Sequence, residues 1–393
     1  SIQNNYDDKS PRLDFNAEEW TYMLKRFDED IAKSKQEKTA THEYRYKLML
    51  KTLCQLLAYS GARIGGETNQ SLIWDDIKVV VGNEKKQKKV INLALQGGGS
   101  HGAFTWGVLD ALLEDGRLDF EGISATSAGA MNAAMLAYGK TRGGRDGARE
   151  VLEDFWRGIS SAGGFFRPYE NITYSNYFSA PGTPFSAIMK GIQSSFSPYD
   201  LNPLNINPLR HVLETVIEDI SVIHKCDLVK LFITATDVRS GTSKVFENKD
   251  MSIDALLASS CLPQLFQAVE IDGEAYWDGG YMGNPSLWPL FYNARCRDIL
   301  LVHINPVNRQ RIPQSAQDIE ERLNEITFNA ALLKELRAID FVKKLITDDM
   351  LKDEYKEQYK DILLHAIRTD TVIEDLGAES KANTEWSFLL ELK

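Results

Sequence analysis

The stretch Val90-Ile91-Asn92-Leu93-Ala94-Leu95-Gln96-Gly97-Gly98-Gly99-Ser100-His101-Gly102 opens on an apolar run and turns through a glycine cluster. The spacing that follows predicts a strand over Val90–Leu95 and a helix over His101–Glu114. The pattern then repeats. Gly122–Ala125 predicts a strand, and Thr126-Ser127-Ala128-Gly129 leads into a helix of small residues over Ala128–Tyr138. Two strand–loop–helix units in succession imply parallel strands, because each helix carries the chain back across a sheet face. Further on, the pattern predicts a helix over Ala148–Ile159 and strands over Val229–Thr236 and Ile299–Ile304. The expected fold class is α/β, a mainly parallel central sheet in three α/β/α layers.

Outside this alternation the chain reads as helical. Helices are expected at about 17–35 and 41–59, then a short strand at 73–81 and a charged linker at 83–89. From about residue 313 the apolar positions Ile319, Leu323, Ile326, Leu332, Leu336 and Ile339 return at helical spacing. The expected organisation is a mainly helical N-terminal extension (1–88), an α/β domain (89–310) and a helical C-terminal region (311–393).

Composition narrows the function classes. With 43% hydrophobic and 26% charged residues, the 393-residue chain is an ordinary globular sequence. Its net charge of −11 argues against nucleic acid as a partner and against broad docking on anionic membranes. Lys85, Lys86, Lys88 and Lys89 form a short basic run that reads as a solvated loop. Cys54, Cys226, Cys261 and Cys296 are widely spaced, with no CxxC pair, which argues against a disulfide framework or zinc site and suits a reducing, cytoplasmic compartment. No apolar run approaches the roughly 18–20 residues that span a bilayer.

The glycine loop admits three readings. Gly97, Gly99 and Gly102 fit a dinucleotide fingerprint, yet that motif expects an acidic residue at the end of the next strand, where this chain has Ala125-Thr126-Ser127. Backbone amides of Gly97, Gly98, Gly99 and Ser100 at a helix start are equally suited to hold an oxyanion. A plain tight turn is the third reading.

Ala125-Thr126-Ser127-Ala128-Gly129 resembles the G-x-S-x-G elbow, with Ala125 in place of the first glycine. In such an elbow a serine on a sharp strand-to-helix turn presents its hydroxyl to a cleft, and the next amide, here that of Ala128, is an oxyanion donor. Ser124 is a nearby hydroxyl within the strand and ranks far below Ser127. If the two strands are neighbours, Ser127 and the glycine amides converge on one carbonyl. A serine nucleophile needs a base. His303 and His365 lie late enough in the chain, but His303 sits inside an apolar strand and reads as structural. Val269–Tyr276 predicts a hairpin with a type I′ turn at Asp272-Gly273, and Asp278-Gly279-Gly280 follows it. Asp-Gly is also a generic turn signal, so Asp278 taken alone carries both readings.

Taken together and in order, Gly97-Gly98-Gly99-Ser100-His101-Gly102, Ala125-Thr126-Ser127-Ala128-Gly129 and Asp278-Gly279-Gly280 resemble the patatin-like phospholipase signature. The resemblance covers about residues 90–306. It implies a Ser127–Asp278 dyad without a histidine base, no cofactor, no metal or calcium requirement, and lipid acyl esters as substrates. Two departures stand out: His101 occupies a place where the family usually carries Arg or Lys, and Ala125 replaces the first elbow glycine.

The stretch 161–208 is rich in Gly, Pro, Ser and Asn and crowded with aromatics, among them Phe165, Phe166, Tyr174 and Tyr177. It reads as a lid or as a surface for peripheral membrane contact, or else as packing over the sheet. The N-terminal helices are expected to pack on the α/β domain, with self-association into a homo-oligomer or recruitment of a partner as the other roles. Two further functions compete with acyl-ester hydrolysis, a catalytically silent scaffold of the same fold and a dinucleotide-binding enzyme.

Overall fold

A computed structural model describes residues 88–173, 197–309, 311–356, 359–369 and 378–393. The chain divides into two compact units, Ser1–Lys78 and Val79–Lys393. The elements expected within 1–87 lie outside the described residues, and the second unit carries everything described below.

That unit is built on one sheet. Strand β1 (Lys89–Leu95) leads through a 3₁₀ turn at Gly99–His101 into helix α1 (Gly102–Asp115), which stops where Gly116 takes a left-handed φ of 73°. Strand β2 (Leu118–Thr126) feeds helix α2 (Ala128–Thr173), whose path breaks at Gly143 and Gly144. Helix α3 (Pro208–Val216) and strands β3 (Lys230–Asp237) and β4 (Ser243–Glu247) follow. Helix α4 (Ile253–Ser259) precedes the hairpin of β5 (Val269–Ile271) and β6 (Glu274–Asp278). Then come helix α5 (Trp288–Asn293), strand β7 (Asp298–His303), helix α6 (Ala316–Thr347), strand β8 (Leu363–Arg368) and helix α7 (Trp386–Leu392).

The strand order is β5-β6-β3-β2-β1-β7-β8, with β4 paired to β3 off this path. The central pairs β3–β2, β2–β1, β1–β7 and β7–β8 are all parallel, while β4, β5 and β6 enter antiparallel. The central strands are buried on both faces, which accounts for their nearly unbroken apolar runs. One core packs Leu93, Leu95, Ile123, Ile233 and Val302 against α1, α2 and α7. The other packs Ala94, Phe232, Ile299 and Leu301 against Leu287, Leu290 and Leu332 of the α5–α6 side. Alternate residues of the same strands thus face two helical layers, giving the expected three-layer α/β/α arrangement.

Two elements run further than their sequence signals. The helices expected at Ala128–Tyr138 and Ala148–Ile159 belong to α2, which continues to Thr173, well into the stretch expected to be irregular. Its glycines serve close approach: a Cβ on Gly139 would overlap the Gly147 carbonyl, and one on Gly158 would lie 2.8 Å from Val212. Residues 174–196 of the expected lid lie outside the described residues. The C-terminal region is helical over α6 and α7 and also lends β8 to the sheet. There α7 returns to α1, where the Trp386 ring lies 5.8 Å from that of Trp106.

Candidate active site

The parallel pairing of β1 with β2 sets Leu95 beside Ala125, so the glycine loop and the Ser127 turn leave the sheet side by side. A Cβ on Gly97 would stand 2.6 Å from Cβ of Ser127 and 2.8 Å from the Thr126 carbonyl oxygen. No side chain fits between the two turns. Ser127 itself holds a φ of 54°, a left-handed conformation that a non-glycine residue keeps only when its surroundings enforce it. Three contacts do so. Its amide donates to Ser259 Oγ at 3.0 Å, and Ser259 Oγ donates to the Thr234 carbonyl at 2.6 Å. Its carbonyl accepts from Met131 N–H as α2 begins. A Cβ on Gly129 would overlap the Leu95 carbonyl, so the helix can start this close to β1 only with glycine there. Ser124, the lesser hydroxyl, is buried in β2 and donates to the Ser286 carbonyl.

Asp278 arrives from a distant part of the chain. Asp272 and Gly273 have φ of 53° and 84°, the positive pair a type I′ hairpin turn requires, so β6 runs back along β5 as expected. Thr126 pairs with Thr234 of β3, and Asp278 pairs with the next residue, Ala235. Because β4 holds the other edge of β3 over Phe232–Thr236, β6 lies on the edge that β2 vacates at Thr126. Gly279 is obligatory at this junction, since a Cβ there would overlap the Thr234 carbonyl.

Asp278 is 1% exposed. Its Oδ1 accepts from Gly280 N–H at 2.7 Å, while Oδ2 is buried without a hydrogen-bond partner. Burial pushes its pKa up to about 7, against the opposing pull of the Gly280 amide and the Ser127 side chain.

The other expected residues lie in the glycine loop and at the start of α2. Gly98 is extended at φ 172°, Gly99 has a left-handed φ of 59°, and Ser100 is buried in the 3₁₀ turn. Ala128 is the first residue of α2, where backbone N–H groups have no partner inside the helix. The N-terminal ends of α1 and α2 each favour negative charge. The Gly97 amide differs from the others, because it already donates to Asn284 Oδ1 at 2.7 Å. The second strand, where a dinucleotide site would carry its acidic residue, ends instead in the Ser127 turn.

Residues 93–291 match the sequence model of the family described as patatin-like phospholipase. This chain belongs to that family. It is 30% identical over 196 residues to a patatin-like phospholipase domain-containing protein of Caenorhabditis elegans, an alignment spanning 49% of this chain and 12% of that protein. Among solved structures it is similar to VipD from Legionella pneumophila, with 16% identity, a TM-score of 0.35, and coverage of 78% of this chain and 66% of that one. It is also similar to ExoU, solved in complex with SpcU from Pseudomonas aeruginosa, with 15% identity, a TM-score of 0.26, and coverage of 63% and 52%.

In this patatin-like chain His101, His303 and His365 bond to groups other than Ser127 and Asp278. His303 is buried in β7, faces Asn329 Oδ1 at 3.2 Å, and burial lowers its pKa to about 4. His365 bonds Asp298 on neighbouring β7. His101 is buried, and desolvation together with Lys381 and Arg309 lowers its pKa to about 3, so it stands neutral.

Sequence reasoning missed the residues that hold the glycine loop. Asn284 binds Gly97 through both amide atoms, accepting from its N–H and donating to its carbonyl at 3.4 Å. Asn305 Nδ2 donates to the same carbonyl at 2.6 Å. Gln96 Oε1 accepts from Ile304 and Asn305 N–H, each at 2.8 Å, and its Nε2 donates to Asn329. The one available signal was the Gly283-Asn284-Pro285 run close behind Asp278, which reads as turn punctuation.

Proposed function

We propose that this protein is a serine acyl hydrolase acting on lipid acyl esters, of the phospholipase A or lysophospholipase type. The observation that carries this reading is the meeting of three features: a serine held at positive φ, a glycine loop too close to it for any side chain, and a buried carboxyl with one oxygen unbonded. Ser127 Oγ attacks the ester carbonyl carbon while its proton passes to Asp278. The carbonyl oxygen becomes an oxyanion facing the amides of Gly98, Gly99, Ser100 and Ala128, with Gly97 fixing the loop against the nucleophile. The intermediate collapses, and the alkoxide leaves with the proton from Asp278. Water then attacks the acyl-serine, Asp278 accepts its proton, and the fatty acid departs as Ser127 regains its hydrogen. A base works best with a pKa near the working pH, and burial has brought Asp278 there.

The described end of the proposed lid supports an interfacial role. Leu204 is 80% exposed, and Tyr199, Leu201 and Ile206 beside it are also exposed. Contact with lipid is assigned to this exposed apolar surface; among the described residues no helix is long and apolar enough to cross a membrane.

The test is turnover of a soluble nitrophenyl ester and of a fluorogenic phospholipid in vesicles. Wild type should hydrolyse both, and Ser127→Ala should hydrolyse neither while remaining folded. Leu201→Ser with Leu204→Ser should lose activity on vesicles and keep it on the soluble ester. A folded wild type inert toward both substrates would overturn the hydrolase reading and favour a silent scaffold.

A further inference from the structure

The family match ends at residue 291, yet the glycine loop is gripped from far beyond it. A single 3₁₀ turn, Ala378–Ala382, touches the loop in three ways. Ser380 Oγ lies 2.7 Å from His101 Nε2. The Lys381 backbone carbonyl fills the space beside Gly99, where a Cβ would overlap it. Lys381 Nζ donates to Asn305 Oδ1 at 2.7 Å, and Asn305 Nδ2 donates in turn to the Gly97 carbonyl.

The last chain of bonds has a directional consequence. The Gly97 carbonyl and the Gly98 N–H belong to one planar trans peptide and point in opposite directions. Whatever holds the carbonyl therefore aims the amide. The Lys381 ammonium, by bonding one end of the Asn305 amide, polarises it and strengthens the donor at the other end. Asn284 holds the same carbonyl more weakly, at 3.4 Å. The cation also stands in a constrained setting: Arg309 and Arg322 both pair with the buried Glu325, and Lys381 helps keep that carboxyl below its usual range.

We infer that Lys381 and Ser380 are positioning residues of the proposed oxyanion site, with Lys381 aiming the Gly98 amide through Asn305 and Ser380 anchoring the loop through His101. The working catalytic unit then includes the C-terminal segment, and a version cut at the end of the family match would lack its loop support. This rests on the hydrolase reading above, because the amide is aimed at an oxyanion only if one forms.

The experiment uses the full chain with Lys381→Met, Lys381→Arg and Ser380→Ala. It reads amide hydrogen exchange in the peptide covering residues 96–102, and kcat and KM on a soluble nitrophenyl ester. Lys381→Met should speed exchange in that peptide and lower kcat by about tenfold, less than the roughly hundredfold that an ångström of misplacement costs, with KM within about twofold. Lys381→Arg, which keeps a donor cation, should restore most of the kcat. Ser380→Ala should speed exchange in the same peptide and leaves every charge in place, so it reads the clamp if Lys381→Met does not fold. Wild-type exchange and kcat in Lys381→Met, or faster exchange with unchanged kcat, would overturn the positioning role. Should the wild type turn over no ester, the hydrolase reading falls, and unchanged loop exchange in the variants would separately remove the clamp.

Discussion

Thr126 and Asp278 occupy consecutive positions on the same edge of β3, Thr126 opposite Thr234 and Asp278 opposite Ala235. β2 runs up that edge and stops at Thr126, while β6 runs down it and stops at Asp278. The two strand ends meet head to head, and Ser127 is the next residue after the first. Sheet hydrogen bonding, rather than loop flexibility, therefore sets the spacing of the proposed nucleophile and base. Elements positioned by strands hold a reacting geometry better than free loops do.

The pH dependence of turnover should report Asp278. Burial holds its pKa near 7, so kcat/KM should rise with pH through about 7 and level off above it. His101 and His303, held near 3 and 4, stand neutral throughout that range. His303→Gln should therefore leave the inflection in place. A pH profile that inflects in the ordinary carboxylate range, or that shifts in His303→Gln, would contradict the assignment.

Stability should trade against activity at the same residue. The folded pKa of Asp278, about 7, lies above its ordinary value of 3.8. Between these values the native state binds more protons than the unfolded state, so the contribution of this group to stability falls as pH rises and is lowest above about 7. Asp278→Asn keeps an oxygen for the Gly280 amide and has no charge to desolvate. Its Tm should exceed that of wild type at about pH 8 and approach it near pH 4. Thermal melts at the two pH values check this, and an equal gain at both would contradict it.

Two glycine substitutions should separate folding from chemistry. In Gly129→Ala the new methyl meets the Leu95 carbonyl, backbone against backbone in the middle of the sheet. The cost should reach or exceed the upper end of the ~1–3 kcal/mol typical of overpacking. In Gly97→Ala the methyl meets Ser127 Cβ and the Thr126 carbonyl at the tip of the turn. The fold should survive there, with kcat down by about a hundredfold. Denaturant melts and ester turnover on both variants check the contrast.

What the sequence disclosed and what it withheld differ in range. Both glycine-marked turns and the hairpin before Asp278 are local signals, since a turn residue or an apolar run can be read within a few positions. Their meeting depends on strand adjacency, which the sequence leaves as a condition and the β1–β2 pairing meets. The residues that fix the loop act across the chain: Asn284 reaches back 187 positions to Gly97, and Asn305 reaches back 208. A lone Asn at a strand end or in a turn has no periodicity to announce such a contact. β8 is half-exposed along its length, so it lacks the unbroken apolar run that marks β1 and β7. In α2 Gly139 and Gly147 pack against each other between the two expected helices, and only Gly143 and Gly144 depart from helical geometry.

Asn284→Ala should test the near side of the loop. It leaves the buried Gly97 amide without an acceptor, which costs about 1–3 kcal/mol of stability. It also frees the Gly97 carbonyl from one of its two donors, so kcat should fall by about tenfold. Full activity together with full stability would show that the loop does not depend on this side chain.

The most direct test of the Ser127–Asp278 assignment is covalent labelling with a fluorophosphonate, the modified residue being mapped by mass spectrometry in wild type and in Asp278→Asn. The expected result is a single label on Ser127, attached faster as pH rises through about 7 in wild type, and far more slowly in Asp278→Asn than in wild type above that pH. A label on another serine, or equal labelling of Ser127 in the two proteins, would contradict it.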